Sequence, residues 1–157
     1  MSRSLGPALP ADLLARLSQR DLGPLLGRGI PLVTLGTDGR PHPMLCSYLE
    51  LLAVSATTLR LAIAGQSRSA ANLETRRVGT FLLVEPERSV YLKCRAGGPP
   101  RMFGDLARFD LAVEEVLEDA PTEAEGEARI TSGITYAPAP DPSAPWVRTL
   151  LAALRAA

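Results

Sequence analysis

The chain has 157 residues, enough for one domain with a working hydrophobic core. Acidic and basic residues balance at 17 each and aromatics make up 4%. That balance argues against nucleic-acid partners, anionic membrane surfaces and base-stacking platforms. Two cysteines, Cys46 and Cys94, stand far apart without CxxC spacing, beside a single histidine, so a metal site has no support and free thiols are expected. The apolar runs are too short for membrane spans and none reads as a signal peptide, so a cytoplasmic protein is expected.

Leu13, Leu14 and Leu17 predict a helix from Pro10 to about Arg20, and Gly23-Pro24 ends it. Ile30 to Leu35 reads as a strand. Thr37-Asp38-Gly39-Arg40 is then a hairpin signal, because both Asp and Gly tolerate positive φ. The second run, His42 to Leu52, reads as one strand, and Pro41 and Pro43 deprive one of its edges of donors. Thr57-Thr58 opens a third strand that reaches Ala64. After a short helix, Val78 to Val84 and Ser89 to Ala96 form a strand pair, and Gly97 to Pro100 a loop. Leu106 to Leu117 fits both the strand and the helix period; the surrounding β series favours a strand. An acidic loop spans 118–127 and an extended piece Ile130 to Tyr136. A proline-rich linker, Pro138 to Pro145, leads to a terminal helix, Trp146 to Leu154. Trp146 is expected to be that helix's hydrophobic anchor.

Chemistry concentrates at Gly65-Gln66-Ser67-Arg68-Ser69-Ala70-Ala71-Asn72-Leu73. A strand that turns through Gly and Ser into a helix leaves N–H groups unpaired at the helix start. Arg68 with two hydroxyls there makes a pocket suited to a phosphate. The alternative is that Ser67 or Ser69 merely caps the helix and Arg68 lies in solvent. Neither a Walker sequence nor GxGxxG is present, so a nucleoside triphosphate or a Rossmann-bound dinucleotide is poorly supported. His42 has no partners for a hydrolytic triad. Cys46 reads as a small buried apolar residue, and Glu114, Glu115, Glu118 and Asp119 as a solvated surface.

Together, "LVTLGTDGRPHPMLCSYLEL", "LRLAIAGQSRSAANLE" and "VGTFLLVEPERSVYLKCRA" resemble the flavin-binding split β-barrels of the pyridoxamine 5′-phosphate oxidase-like superfamily. The resemblance covers Pro31 to Ala96 and extends weakly through Phe109 to Asp119. It implies a mainly β fold, a six-stranded antiparallel Greek-key split barrel with flanking helices. The chain would be one domain over 1–157, with an N-terminal helical segment (1–29), a barrel core (30–119) and a tail (120–157). It also implies a homodimer holding FMN between subunits. The phosphate would lie on Ser67, Arg68 and Ser69 with Asn72 close by, and Pro43, Met44, Leu45 and Cys46 would lie nearest the isoalloxazine. The activity implied is that of an FMN-dependent oxidoreductase or flavin reductase acting on a small redox substrate. A non-catalytic flavin or haem carrier is the alternative, and a deazaflavin enzyme ranks third. Many members carry Lys where this chain has Ser69, a difference of about 1.5–3 kcal/mol in phosphate binding unless Arg40, Arg60 or a partner-subunit Arg compensates. The C-terminal Arg, His and Trp constellation of true pyridoxamine phosphate oxidases has no counterpart, so that reaction is not expected.

Overall fold

The computed structural model describes residues 2–126 and 128–157; Met1 and Glu127, the latter in the acidic loop, lie outside them. Nine strands and three helices follow in the order β1 (Ser2–Gly6), α1 (Ala11–Leu17), β2 (Gly29–Leu35), β3 (Pro41–Ser47), β4 (Leu51–Ser55), β5 (Thr58–Ala64), α2 (Arg68–Arg76), β6 (Val78–Glu85), β7 (Arg88–Ala96), β8 (Arg101–Phe103), β9 (Leu106–Asp119) and α3 (Pro145–Arg155). The sheet is antiparallel throughout and ordered β3-β2-β6-β7-β9-β5-β4, with β1 and β8 added on β9. The expected mainly β split barrel is found, with nine strands instead of six. Leu106 to Leu117 is a strand, as read from the sequence.

Alternation along the strands builds the core. Ile30 and Leu32 of β2, Phe81 and Leu83 of β6, Leu92 of β7 and Phe109 and Leu111 of β9 all point inward and are buried. Leu13 and Leu17, four residues apart on α1, join them. A second cluster lies on the other face of β5, where Leu49, Leu52 and Ala62 pack against Val147, Leu150 and Leu154 of α3.

Two expectations needed correction besides the strand number. The N-terminal segment begins with a strand, β1, paired to the end of β9. The run from His42 to Leu52 is two strands, broken by a turn at Tyr48–Glu50. That turn contains no Gly or Pro. It is held by the Glu50 carboxylate, which accepts from Ser47 N–H (2.6 Å) and Ser47 Oγ (3.0 Å), and by buried Gln19, whose Nε2 donates to the carbonyls of Tyr48, Leu49 and Leu51 at 3.2–3.3 Å.

The prolines set where the sheet opens. Gly36 N–H donates to Arg40 O (2.9 Å) at the hairpin end. Ladder alternation then turns the nitrogens of Pro41 and Pro43 away from β2, toward the outer edge of β3. The same alternation points the Pro31 nitrogen at β6, and the β2–β6 register begins only at Leu32. Beyond that point the segment 130–136 joins β2 and the β6–β7 turn. Gly29 N–H donates to Ile134 O, Tyr136 N–H to Gly27 O and Glu87 N–H to Ile130 O, each at 2.8 Å. Gly133 lies so close to the Val84 carbonyl that a Cβ would overlap it.

Candidate functional site

β5 runs into α2 through Gly65. Its N–H donates to Asp105 O (2.8 Å), and a Cβ there would come within 2.8 Å of the Met102 methyl and 3.2 Å of the Asp105 carbonyl. Only a residue without a side chain brings β5 and the β8–β9 turn this close. Ser67 caps α2 in extended conformation, its Oγ accepting from Ala70 N–H at 3.1 Å. Ala71 N–H is taken by the Ser67 carbonyl (3.2 Å). The N–H groups of Arg68 and Ser69 have no acceptor among the described residues. Arg68 is exposed and has no ion pair there.

Ser69 is 1% exposed, and its Oγ is a buried polar atom with no partner among the described residues. Such an atom ordinarily costs about 1–3 kcal/mol. The cap reading therefore accounts for Ser67 but not for Ser69. Asn72 is buried on the same helix, and its Nδ2 donates to Thr34 Oγ1 (3.0 Å), whose hydroxyl reaches His42 O (3.3 Å). Its amide nitrogen thus anchors α2 to β2. Ser67, Arg68 and Ser69 share one helical turn, with Asn72 one turn on.

Pro43, Met44, Leu45 and Cys46 lie on β3, the edge strand at the far end of the sheet order. Pro43 and Leu45 face outward, Leu45 at 51% exposure. Met44 packs on the core and Cys46 is within it. With both prolines on the outer edge, that edge offers the carbonyls of residues 41, 43 and 45 but only one of their three N–H groups, from Leu45. Burial pushes the Cys46 thiol up, and that of Cys94 to about 12, so neither is a thiolate at neutral pH; both are free.

Of the two arginines of this chain that could compensate for Ser69, Arg60 is committed elsewhere and the Arg40 guanidinium is not. Arg60 pairs with Asp110 (3.2 Å) and donates to the carbonyls of Leu154 (3.0 Å) and Ala156 (2.8 Å). Arg40 is exposed at the hairpin tip, its N–H on Asp38 (3.0 Å). The acidic residues of β9 are cross-strand partners rather than a free solvated face: Glu114 with Arg95 (2.5 Å), Glu115 with Lys93 (2.7 Å), and Glu118 with Arg3 (2.8 Å) and Arg88 (3.0 Å).

Sequence reasoning missed a groove of about 300 Å³ lined by Glu50, Ala62, Ile63, Ala64, Leu106, Trp146, Thr149 and Leu150. It also misplaced Trp146, which is 57% exposed and does not anchor α3; Val147, Leu150, Ala153 and Leu154 do. Those four form the helix's inward stripe, and Trp146 sits at its margin in the first turn.

The same strand arrangement is found in solved structures. PhzG from Burkholderia lata, in complex with tetrahydrophenazine-1-carboxylic acid, superposes with a TM-score of 0.55 at 13% identity over 78% of this chain and 85% of its own. A proposed pyridoxamine 5′-phosphate oxidase from Lactobacillus delbrueckii gives 0.52 at 12% identity, covering 73% and 98%. The fold is a pyridoxamine 5′-phosphate oxidase-like split barrel. HutZ, the haem storage protein from Vibrio cholerae, shares this split barrel, with 0.50 at 15% identity over 69% and 93%. At such identities the likeness is one of fold. No protein-family model and no curated protein matches the chain.

Proposed function

We propose that this split barrel binds FMN through the first turn of α2 and acts as a flavin-dependent oxidoreductase or flavin reductase. The observation carrying this reading is the partnerless, buried Ser69 Oγ beside an exposed Arg68 and two open N–H groups. The set is donor-only in function and suits a phosphate dianion. Ser67, Arg68 and Ser69 would hold the phosphate, with Asn72 keeping the helix in place. The isoalloxazine would lie along the outer edge of β3 at residues 43–46, where the missing donors leave room for a ligand rather than another strand. FMN would supply the electron or hydride chemistry, and the protein binding and orientation.

The same reading takes the chain as a single domain working in the cytoplasm as a homodimer with a small-molecule redox substrate; light scattering tests the dimer. Among the described residues no helix is long and apolar enough to cross a membrane. FMN added to the purified protein is expected to be quenched with micromolar affinity, and failure to quench at excess protein would refute the proposal. Arg68→Ala is expected to weaken binding by the loss of one charge-assisted contact.

The fold match to a haem storage protein supports a second reading, a carrier without turnover. A Soret band on haem addition, with no flavin quenching, would favour it. So would a flavin-loaded protein that neither NADH nor NADPH bleaches.

A further inference from the structure

We propose that the groove between β5 and α3 is a second ligand site, for a small molecule with a flat apolar body and a primary ammonium head. None of its lining residues lies on α2 or β3. The floor is small and apolar: Ala62 and Ala64, with Ile63 and Leu106 beside them, and larger side chains at the two alanines would fill the space. Leu150 and Trp146 form the wall on α3. The indole is held out at 57% exposure by a helix anchored through other residues, and so presents an uncovered aromatic face.

Glu50 is the one ionisable group in the lining. Both of its turn bonds fall on Oε2; Oε1 has no partner among the described residues. No cation pairs with this carboxyl there, and burial holds it above the usual carboxylate range. The turn accounts for one oxygen and leaves the other facing an apolar groove without a counter-charge. The second polar side chain, Thr149, donates its hydroxyl to Pro145 O (3.0 Å) and can therefore only accept from a ligand. Glu50 Oε1 and the Thr149 hydroxyl are acceptors, and the Trp146 indole N–H is the one side-chain donor in the lining. The only charged side chain is the Glu50 carboxyl, so the site favours a cationic donor head over carboxylates and phosphates. An ammonium fits best: it supplies three donors, neutralises Glu50 and can pack against the indole as a cation.

Trp146 is the chain's only tryptophan, so its emission reports the groove directly. Phenethylamine is expected to change it saturably with sub-millimolar affinity. N-acetylphenethylamine and phenylacetate, lacking the cation, are expected to bind at least about tenfold more weakly, or 1.4 kcal/mol. Glu50→Gln should weaken phenethylamine by a similar factor and leave FMN quenching unchanged. Because Glu50 also holds the β3–β4 turn, Ala64→Leu, which fills the groove without touching that turn, provides a second variant and should abolish the response in a protein with wild-type circular dichroism. Phenylacetate binding as well as the amine, no saturable change, or an unchanged response in folded Ala64→Leu would overturn the proposal. So would an emission change driven by FMN and blocked in Ala64→Leu, since the groove would then belong to the cofactor.

Discussion

Two helix ends in this molecule treat their backbone groups in opposite ways. At the C-terminal end of α3 the carbonyls are capped. Arg60 donates to Leu154 O and Ala156 O, and Arg108 to Ala153 O (3.2 Å) and Ala156 O (2.7 Å). Arg108 is only 5% exposed and stands above the Phe103 ring at 5.2 Å, so the clasp is part of the fold. At the N-terminal end of α2 the reverse holds: two N–H groups, one hydroxyl and one guanidinium have no acceptor. The clasped end holds the protein together. The α2 end has donors left over, and its buried, partnerless Ser69 hydroxyl sets it apart from the starts of α1 and α3, which also lack a side-chain cap.

Arg108→Ala removes both carbonyl bonds and leaves space beside Phe103, and is expected to lower stability by about 3 kcal/mol in denaturant titration. FMN affinity of the folded fraction should not change; a large loss would mean that the two ends are not independent. Arg68→Ala is the converse. FMN affinity should fall by about 1.5–3 kcal/mol, with apo stability within about 0.5 kcal/mol of wild type, because Arg68 supports nothing in the fold. An equal loss of apo stability would make Arg68 structural.

Asn72→Ala sharpens the boundary within α2 itself. It is expected to cost about 1–2 kcal/mol of stability, and that cost should shrink in a Thr34→Val background, since the two side chains bond to each other. Full additivity would contradict the assignment of Asn72 to anchoring.

Glu50 gives a smaller, pH-dependent effect. Burial raises its folded pKa above the ordinary 4.5, so the folded state holds its proton longer than the unfolded one. Stability then falls as pH rises from that ordinary value through the raised one, and Glu50→Gln should remove this fall. A wild-type-minus-variant difference that stays flat with pH would refute it.

Much of this was legible in the sequence where local chemistry is strong. Asp38-Gly39 marked the hairpin, Gly65 through Ser69 the strand-to-helix turn, and Val147, Leu150 and Leu154 the inward stripe of α3. Tertiary pairing hid the rest. Ser2–Gly6 has one apolar side chain, Leu5, and is a strand because the far half of β9 offers it an edge. The break between β3 and β4 depends on Ser47, Glu50 and the distant Gln19, so no turn residue announces it. Trp146 fits the helical pattern in sequence, yet its place at the edge of the stripe leaves it in solvent. Ser69 reads as a missing cation, whereas the structure gives it a different property, a buried hydroxyl without a partner.

Whether the open donors of α2 hold a phosphate is decided by a paired titration with FMN and riboflavin, because the two differ only in that group. Micromolar quenching of FMN is expected, with riboflavin binding at least about tenfold weaker and the gap narrowed in Ser69→Ala and Arg68→Ala. Equal affinity for the two flavins, or no binding of FMN, would contradict a phosphate site there.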